Sequence, residues 1–356
     1  MLRARLSVTY PDGDFPANPA NPYPGAVPPT SFVHVDGAGR ALQPDPAALA
    51  GWRVDGTDLD DWLASRAAAP LAARVPVLTY GSNRNPSKIS WLRRNLGLAG
   101  PVVVLWARTE DLAAVWAYGL RVRDDQRPAV LATAPGAAED HAVWLATPEQ
   151  VAMLDICEGR GGRYRLARLR SGIVRTEDGA RVENPWCYLG NTTIRRPLLV
   201  DGGTVRCAAT TQADARTLDG RPADGDGLDA VTVHGAPHPD GWPAAVFVYG
   251  LLQPGQPSWH LVAPHIAGPP RRAVASGTVF DTRRGYPALR PGAGHGAPGW
   301  VVPVRDPAAL LPALDAYEGP EYRRIRITVT DGTVCWAYAW SSPLHGLVPL
   351  PSGWPA

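Results

Sequence analysis

The hexapeptide Leu-Asp-Ile-Cys-Glu-Gly at residues 154–159 is matched in the second half of the chain by Leu-Asp-Ala-Tyr-Glu-Gly at residues 314–319. Both copies read Leu-Asp-x-x-Glu-Gly, and each lies at the end of a predicted helix. Thr147 and Gln150 are spaced as a capping box before the first helix, and Asp306 suits the N-cap of the second. The closing glycines are placed to terminate both helices.

A β-rich segment that runs into a loop precedes each hexapeptide. Residues 75–80, Val-Pro-Val-Leu-Thr-Tyr, continue into Gly-Ser-Asn at 81–83. Residues 246–249, Val-Phe-Val-Tyr, continue into Gly-Leu-Leu at 250–252. Both segments read as a strand that ends in a loop.

A tyrosine follows each hexapeptide, Tyr164 in the first half and Tyr322 in the second. Each tyrosine precedes or opens an arginine-bearing segment of alternating pattern, which predicts a strand. Because the motifs recur in the same order at similar separations, the sequence indicates an internal duplication.

The ordered motifs resemble the gamma-glutamylcyclotransferase family, and Val-Phe-Val-Tyr-Gly with Leu-x-x-Gly resembles its gamma-glutamylaminecyclotransferase branch. The resemblance covers about residues 75–200 and 245–340. It implies an α+β fold of two tandem small mixed β-barrels with flanking helices. It also implies cyclisation of a γ-glutamyl amide to 5-oxoproline with release of the free amine, without a cofactor.

Glu158 and Glu318 are the candidate catalytic residues. An α-amine that is largely ammonium at neutral pH must lose a proton before its nitrogen can attack the γ-carbonyl, so the reaction needs a base. The same carboxyl group can then return the proton to the departing amine. A position at a helix C-terminus, together with burial, should raise the pKa of each carboxyl toward the working range.

The candidate substrate-binding residues lie in the two loops, at the strand ends before them and at the tyrosines after the hexapeptides. Backbone N–H groups at such a turn can bind the α-carboxylate of a substrate, and glycine permits close approach. In the second loop a leucine stands where the related branch usually has threonine, which removes a hydroxyl contact. These residues are Tyr80, Gly81, Ser82, Asn83, Tyr164, Tyr249, Gly250, Leu251, Leu252 and Tyr322.

Proline and glycine content sets the expected domain boundaries. Residues 11–30 are rich in Pro, Asn and Gly, which argues against an ordered helix or a central strand there. The Gly-, Asp- and Pro-rich stretch between the two motif sets reads as a linker. We expect an N-terminal extension over 1–74 that packs on the chain after it, a first domain over 75–211, a linker over 212–243, a second domain over 244–346 and a C-terminal tail over 347–356.

Composition narrows the classes of partner and compartment. A net charge of +2 in 356 residues, without runs of like charge, argues against nucleic-acid and anionic-membrane partners and favours a small γ-glutamyl substrate. Four cysteines without C-x-x-C spacing fit a reducing cytoplasm. The histidines, among them His295, lack metal-ligand spacing, so no metal is expected. No stretch approaches the roughly 18 apolar residues of a membrane span. The oligomeric state stays open.

Several alternatives accompany this interpretation. The fold could serve as a non-catalytic module that binds a metabolite or a partner, or Cys157 could support amide hydrolysis or acyl transfer. The two glutamates could be solvated helix-end carboxylates. Tyr80 and Tyr249 could be core residues or substrate contacts. For the aspartates of the hexapeptides we expect a structural role, capping or hydrogen-bonding nearby backbone.

Overall fold

A computed structural model describes residues 8–16, 25–294 and 296–355. Residues 17–24, which form part of the proline-rich segment predicted to be irregular, and His295 lie outside the described residues. Within the described part of the chain, none of the helices combines the length and the apolar character needed to cross a membrane.

The chain divides into two compact units, each built from segments that are separated along the sequence. The first unit comprises Met1–Leu42, Val75–Glu177 and Val182–Pro237. The second unit comprises Gln43–Arg74, Asp178–Arg181 and His238–Ala356.

The secondary structure of both units is mixed. The α-helices are α1 (Leu59–Ala64), α2 (Pro86–Leu96), α3 (Pro148–Glu158), α4 (Gln212–Thr217) and α5 (Pro307–Glu318). The strands are β1 (Thr9–Pro11), β2 (Phe32–Val35), β3 (Ala38–Pro44), β4 (Trp52–Val54), β5 (Thr57–Asp58), β6 (Val75–Thr79), β7 (Val102–Trp116), β8 (Ala129–Ala146), β9 (Tyr164–Leu169), β10 (Ile173–Thr176), β11 (Trp186–Gly190), β12 (Leu198–Val200), β13 (Gly203–Thr204), β14 (Arg221–Pro222), β15 (Ala230–Thr232), β16 (Ala245–Val248), β17 (Arg271–Ala275), β18 (Gly277–Asp281), β19 (Pro287–Pro291), β20 (Ala297–Pro303), β21 (Tyr322–Thr328), β22 (Val334–Trp340) and β23 (Val348–Pro349).

The central strands of the two units follow the same order. In the first unit, neighbouring strands run β9-β11-β6-β8-β7, and in the second they run β21-β22-β16-β20-β17. The pairs β6–β11 and β16–β22 are parallel. The other neighbours along both paths are antiparallel. The second unit also contains a small sheet of order β19-β18-β23.

The sheets formed by the described residues are open, so the fold is mixed α+β with several sheets and without a closed barrel. This differs from the closed barrels that the sequence predicts. In the first unit, the outer edge of β7 is occupied by β2 and β10, which pair with different stretches of that long strand. An edge that already has hydrogen-bonded neighbours is not available to close a barrel.

Segments outside the predicted domains supply several of these strands. In the predicted N-terminal extension, β2 pairs with β7 of the first unit, whereas Gln43–Arg74 belongs to the second unit. In the predicted linker, α4 forms and β15 pairs with β9. The structure therefore places strands in segments predicted as extension and linker. Each of these strands pairs with the edge of a sheet, and this pairing satisfies the backbone hydrogen bonds of both partners.

The core of the second unit explains why its central strands are apolar on both faces. Along β16, Ala245 and Phe247 pack in one hydrophobic cluster and Val246 and Val248 pack in another. Strands β18 and β19 contribute to the first cluster, while α5 contributes to the second. A sheet covered on both faces needs apolar side chains at every position, which is the pattern seen in this sequence.

The predicted helix ends are confirmed. At the start of α3, Thr147 Oγ1 accepts a hydrogen bond from the Gln150 N–H at 3.3 Å, and Gln150 Oε1 accepts one from the Thr147 N–H at 3.2 Å. Asp306 caps α5 through the N–H of Ala309. The chain leaves α3 at Gly159 with φ of 66°, a left-handed conformation that favours glycine.

Candidate active site

One cavity of about 550 Å³ in the first unit brings the loop after β6 together with the end of α3. The predicted site residues of the first half all line this cavity. They are Tyr80, Gly81, Ser82, Asn83, Glu158 and Tyr164. The half-buried Glu158 carboxyl therefore faces the glycine loop.

A hydrogen bond joins the loop directly to the acid. Asn83 Nδ2 donates to Glu158 Oε1 at 2.7 Å across 75 residues of sequence. The backbone of the loop is anchored as well, because the indole Nε1 of the fully buried Trp144 donates to the Asn83 carbonyl at 2.9 Å. Anchoring at both the backbone and the side chain fixes the carboxylate orientation relative to the loop.

The electrostatic environment of Glu158 contains opposing contributions. Burial raises the pKa of its carboxyl above the ordinary value of 4.5. The hydrogen bond from Asn83 and the positive charges of Lys88, Arg163 and Arg195 favour the ionised form and oppose that rise. The net direction is upward, as the sequence predicts from burial.

The second unit has an equivalent cavity of about 340 Å³. The predicted site residues of the second half line it, with the half-buried Glu318 facing the loop after β16. They are Tyr249, Gly250, Leu251, Leu252, Glu318 and Tyr322. Glycine is required at 250, since a Cβ there would lie 2.5 Å from Pro287 Cγ.

Glu318 lies in a less polar environment than its counterpart. None of the described residues that line this cavity is lysine or arginine, and several are aromatic. Burial alone raises the pKa of Glu318 from 4.5 to about 8. The carboxyl is therefore largely protonated at neutral pH in the unliganded protein.

The two strand-end tyrosines are core residues that also face the cavities. The hydroxyl of Tyr80 donates to the carbonyl of Tyr188 at 2.7 Å, and that of Tyr249 donates to the carbonyl of Tyr338 at 2.7 Å. Both hydroxyls are thus engaged by backbone, while the rings form part of the cavity walls.

The aspartates of the hexapeptides pair with tyrosine side chains. Tyr188 donates to Asp155 Oδ1 at 2.6 Å, and Tyr338 donates to Asp315 Oδ1 at 2.7 Å. The two aspartates therefore have the expected structural role, but they accept hydrogen bonds from tyrosine hydroxyls and not from nearby backbone groups. Sequence reasoning missed these cavity-lining tyrosines, although the repeated Trp-x-Tyr at 186–188 and 336–338 was a usable signal.

The arrangement leaves Cys157 a poor nucleophile. Burial raises the pKa of its thiol, and the neighbouring Glu158 charge raises it further, which disfavours the reactive thiolate. Across the described residues, no group of three or more His, Cys, Asp or Glu is arranged to hold a metal ion.

Sequence and structure together define the second unit as a mixed α+β domain in which a buried acid and a glycine loop share a cavity. A family model described as gamma-glutamyl cyclotransferase, AIG2-like, matches residues 246–355. Residues 246–355 therefore carry the sequence pattern of that family model.

Solved structures resemble parts of the chain. An AIG2-like protein from Mus musculus is 26% identical over 28% of this chain and 78% of its own, with a TM-score of 0.25. An uncharacterised protein from Pyrococcus horikoshii is 19% identical over 31% of this chain and 86% of its own, with a TM-score of 0.26. A gamma-glutamyl cyclotransferase is 20% identical over 33% and 67%, with a TM-score of 0.27. No curated protein matches the chain.

Proposed function

We propose that this protein cyclises γ-glutamyl amides to 5-oxoproline and releases the free amine. The observation that carries the proposal is the convergence of an acid and a glycine loop on one cavity, which occurs in both units. Glu158 and Glu318 are the proposed proton carriers.

The proposed reaction needs no covalent intermediate on the protein. The carboxylate takes a proton from the α-ammonium group, and the freed nitrogen attacks the γ-carbonyl carbon to form the ring C–N bond. As the bond to the departing amine breaks, the carboxylic acid returns a proton to that nitrogen. Because the attacking and attacked groups belong to one molecule, holding the folded-back conformer supplies much of the acceleration.

The loops have a proposed binding role. Backbone N–H groups of residues 81–83 and 250–252 would contact the substrate α-carboxylate, and the tyrosine rings would flank the glutamyl chain. The cavity volumes of about 550 and 340 Å³ fall within the range of small-molecule sites.

We further propose that the two units are tandem copies of one domain. Three features support this: the shared strand order, the repeated hexapeptide, and the tyrosine that donates to the same backbone position in each copy. The first copy would carry β2 and β15 as additions, in place of the simple boundaries expected from composition. A cytoplasmic location remains an expectation.

A panel of γ-glutamyl compounds tests the function through release of 5-oxoproline. The Glu158→Gln and Glu318→Gln variants keep the side-chain shape, and the double variant should lose production. Glu149→Gln is the matched control, because Glu149 lies exposed in the first turn of α3, far from the acid at its end. Full production by the double variant contradicts the proposal. Binding of the same compounds without release by the unmodified protein would favour the non-catalytic alternative.

A further inference from the structure

Arg195 is a buried cation, and two of its guanidinium nitrogens have no hydrogen-bond acceptor among the described residues. It ends the short 3-10 turn Thr193–Arg195 after β11, and only 6% of the residue is exposed. Its side chain lines the first cavity. Within the described residues, neither Nε nor Nη1 has a hydrogen-bond partner. Its Cζ lies 6.0 Å from the centroid of the Tyr164 ring.

Other arginines around this cavity are occupied by protein groups. Arg121 pairs with Asp124 through Nε at 2.9 Å and Nη2 at 2.6 Å. Arg163 donates to the carbonyls of Cys157 at 2.8 Å and Glu158 at 3.2 Å. Arg195 therefore differs from these two arginines in facing the cavity with unused donors.

The remaining basic side chains of the lining lie nearer to solvent. Lys88 Nζ stacks 3.8 Å from the centroid of the Trp91 ring, and the side chain of Arg123 is 72% exposed. The exposed charge of Arg123 is screened by water, whereas a buried guanidinium interacts strongly with any anion that enters.

The turn that carries Arg195 packs against a glycine in the first unit. Gly190 is required beneath it, because a Cβ there would collide with the Arg195 carbonyl oxygen. Gly190 is paired with Tyr164, and in the second unit the position paired with Tyr322 is Trp340. The indole of Trp340 packs edge-on against Tyr322 at 5.2 Å. The second unit thus has an indole at the strand position where the first unit has a glycine beneath the arginine turn.

We infer that Arg195 binds a carboxylate of the ligand that enters the first cavity. A buried donor without an acceptor is destabilising, and more so when it is charged, so an anion that completes its hydrogen bonds is bound favourably. The planar guanidinium fork matches a carboxylate, which can accept two parallel N–H bonds.

The identity of the ligand rests on the proposed function, under which two carboxylates are available. One is the α-carboxylate of the glutamyl group, and the other is an acid on the departing amine. Both present the same chemistry to Arg195. Two substrates separate them: γ-glutamylglycine carries both carboxylates, and γ-glutamylethylamine carries only the first.

Calorimetric binding to the full chain carrying Glu158→Gln and Glu318→Gln tests the inference without turnover. In this background we compare the affinity of the protein with Arg195 intact with that of two variants. Arg195→Met keeps much of the side-chain length without the charge, and Arg195→Lys keeps the charge. Arg195→Met should weaken binding of γ-glutamylglycine to the first site by about 10- to 100-fold, and Arg195→Lys should partly restore it. A matching loss with γ-glutamylethylamine assigns the α-carboxylate, and a loss restricted to γ-glutamylglycine assigns the acid on the amine.

The thermal midpoint provides a second measurement. If Arg195 had only a structural role, its replacement would lower this midpoint. Removing a buried charge that has two nitrogens without acceptors among the described residues should leave the thermal midpoint unchanged or raise it. Unchanged affinity of the Met variant for both compounds overturns the inference, even if cyclisation by the unmodified protein is established. A lower thermal midpoint for both Arg195→Met and Arg195→Lys, together with unchanged ligand affinity in both, also overturns the inference.

Discussion

Replacement of Glu318 by Gln should remove a specific pH dependence from the stability of this protein. The carboxyl has an ordinary pKa of 4.5, and burial in the second cavity raises it to about 8. The unfolded chain releases this proton near pH 4.5, whereas the folded protein holds it until about pH 8. The folded state therefore binds more protons between these values, and its stability declines as pH rises through that range.

The size of the effect follows from the difference between the two pKa values. Each pH unit contributes about 1.4 kcal/mol for one proton, so the 2.5 units between 4.5 and neutral pH correspond to a maximum of about 3.5 kcal/mol. The half-buried carboxyl retains some contact with water, and we expect about 1–3 kcal/mol. Gln cannot ionise, and any cost of its amide in the cavity is the same at every pH.

Urea unfolding of the full chain from pH 5 to pH 8 measures this difference. The unfolding free energy of the unmodified protein should fall relative to that of Glu318→Gln as pH increases. Glu321→Gln is the matched control from the same cavity, because the Arg284 guanidinium lowers the pKa of Glu321 and keeps it ionised throughout. Parallel curves for the unmodified protein and Glu318→Gln would refute the reasoning.

Three further outcomes are expected. Asn83→Ala removes a 2.7 Å hydrogen bond worth about 1.5–3 kcal/mol to a charged acceptor, so the pKa of Glu158 should rise further, which the pH profile of 5-oxoproline release would show. Tyr338→Phe removes the hydroxyl donor to the solvent-accessible Asp315 and should cost about 0.5–1.5 kcal/mol in chemical denaturation. Gly250→Ala places a Cβ 2.5 Å from a proline carbon and should destabilise by about 1–3 kcal/mol in thermal unfolding. Asn83→Ala with an unshifted profile, or wild-type stability in either of the others, would contradict these assignments.

The two cavities differ in charge although their architecture is alike. The first has Asn83 and several basic side chains near its acid, and the second has an aromatic lining without lysine or arginine among the described residues. In the Glu158→Gln variant, the activity that remains should therefore increase with pH through about 8, because the second-unit carboxyl must first lose its proton.

Local signals in the sequence were sufficient for the helix ends and for the candidate acids. The capping box at Thr147, the Asp306 cap and the glycines after Glu158 and Glu318 involve groups within a few residues of one another, so their chemistry can be interpreted from spacing alone. The order of glycine loop, acid and tyrosine could also be read from the sequence, because it occurs in both halves of the chain.

Tertiary structure alone decided the strand partners and the electrostatics of the two acids. Hydrogen bonding along a sheet edge depends on which edge is free, and this brought β2 and β15 into the first unit from segments predicted as extension and linker. The pKa of Glu318 depends on side chains that are distant in sequence but close in space. The lack of an acceptor for two nitrogens of Arg195 among the described residues likewise depends on how the folded chain buries this side chain, which no spacing of residues encodes.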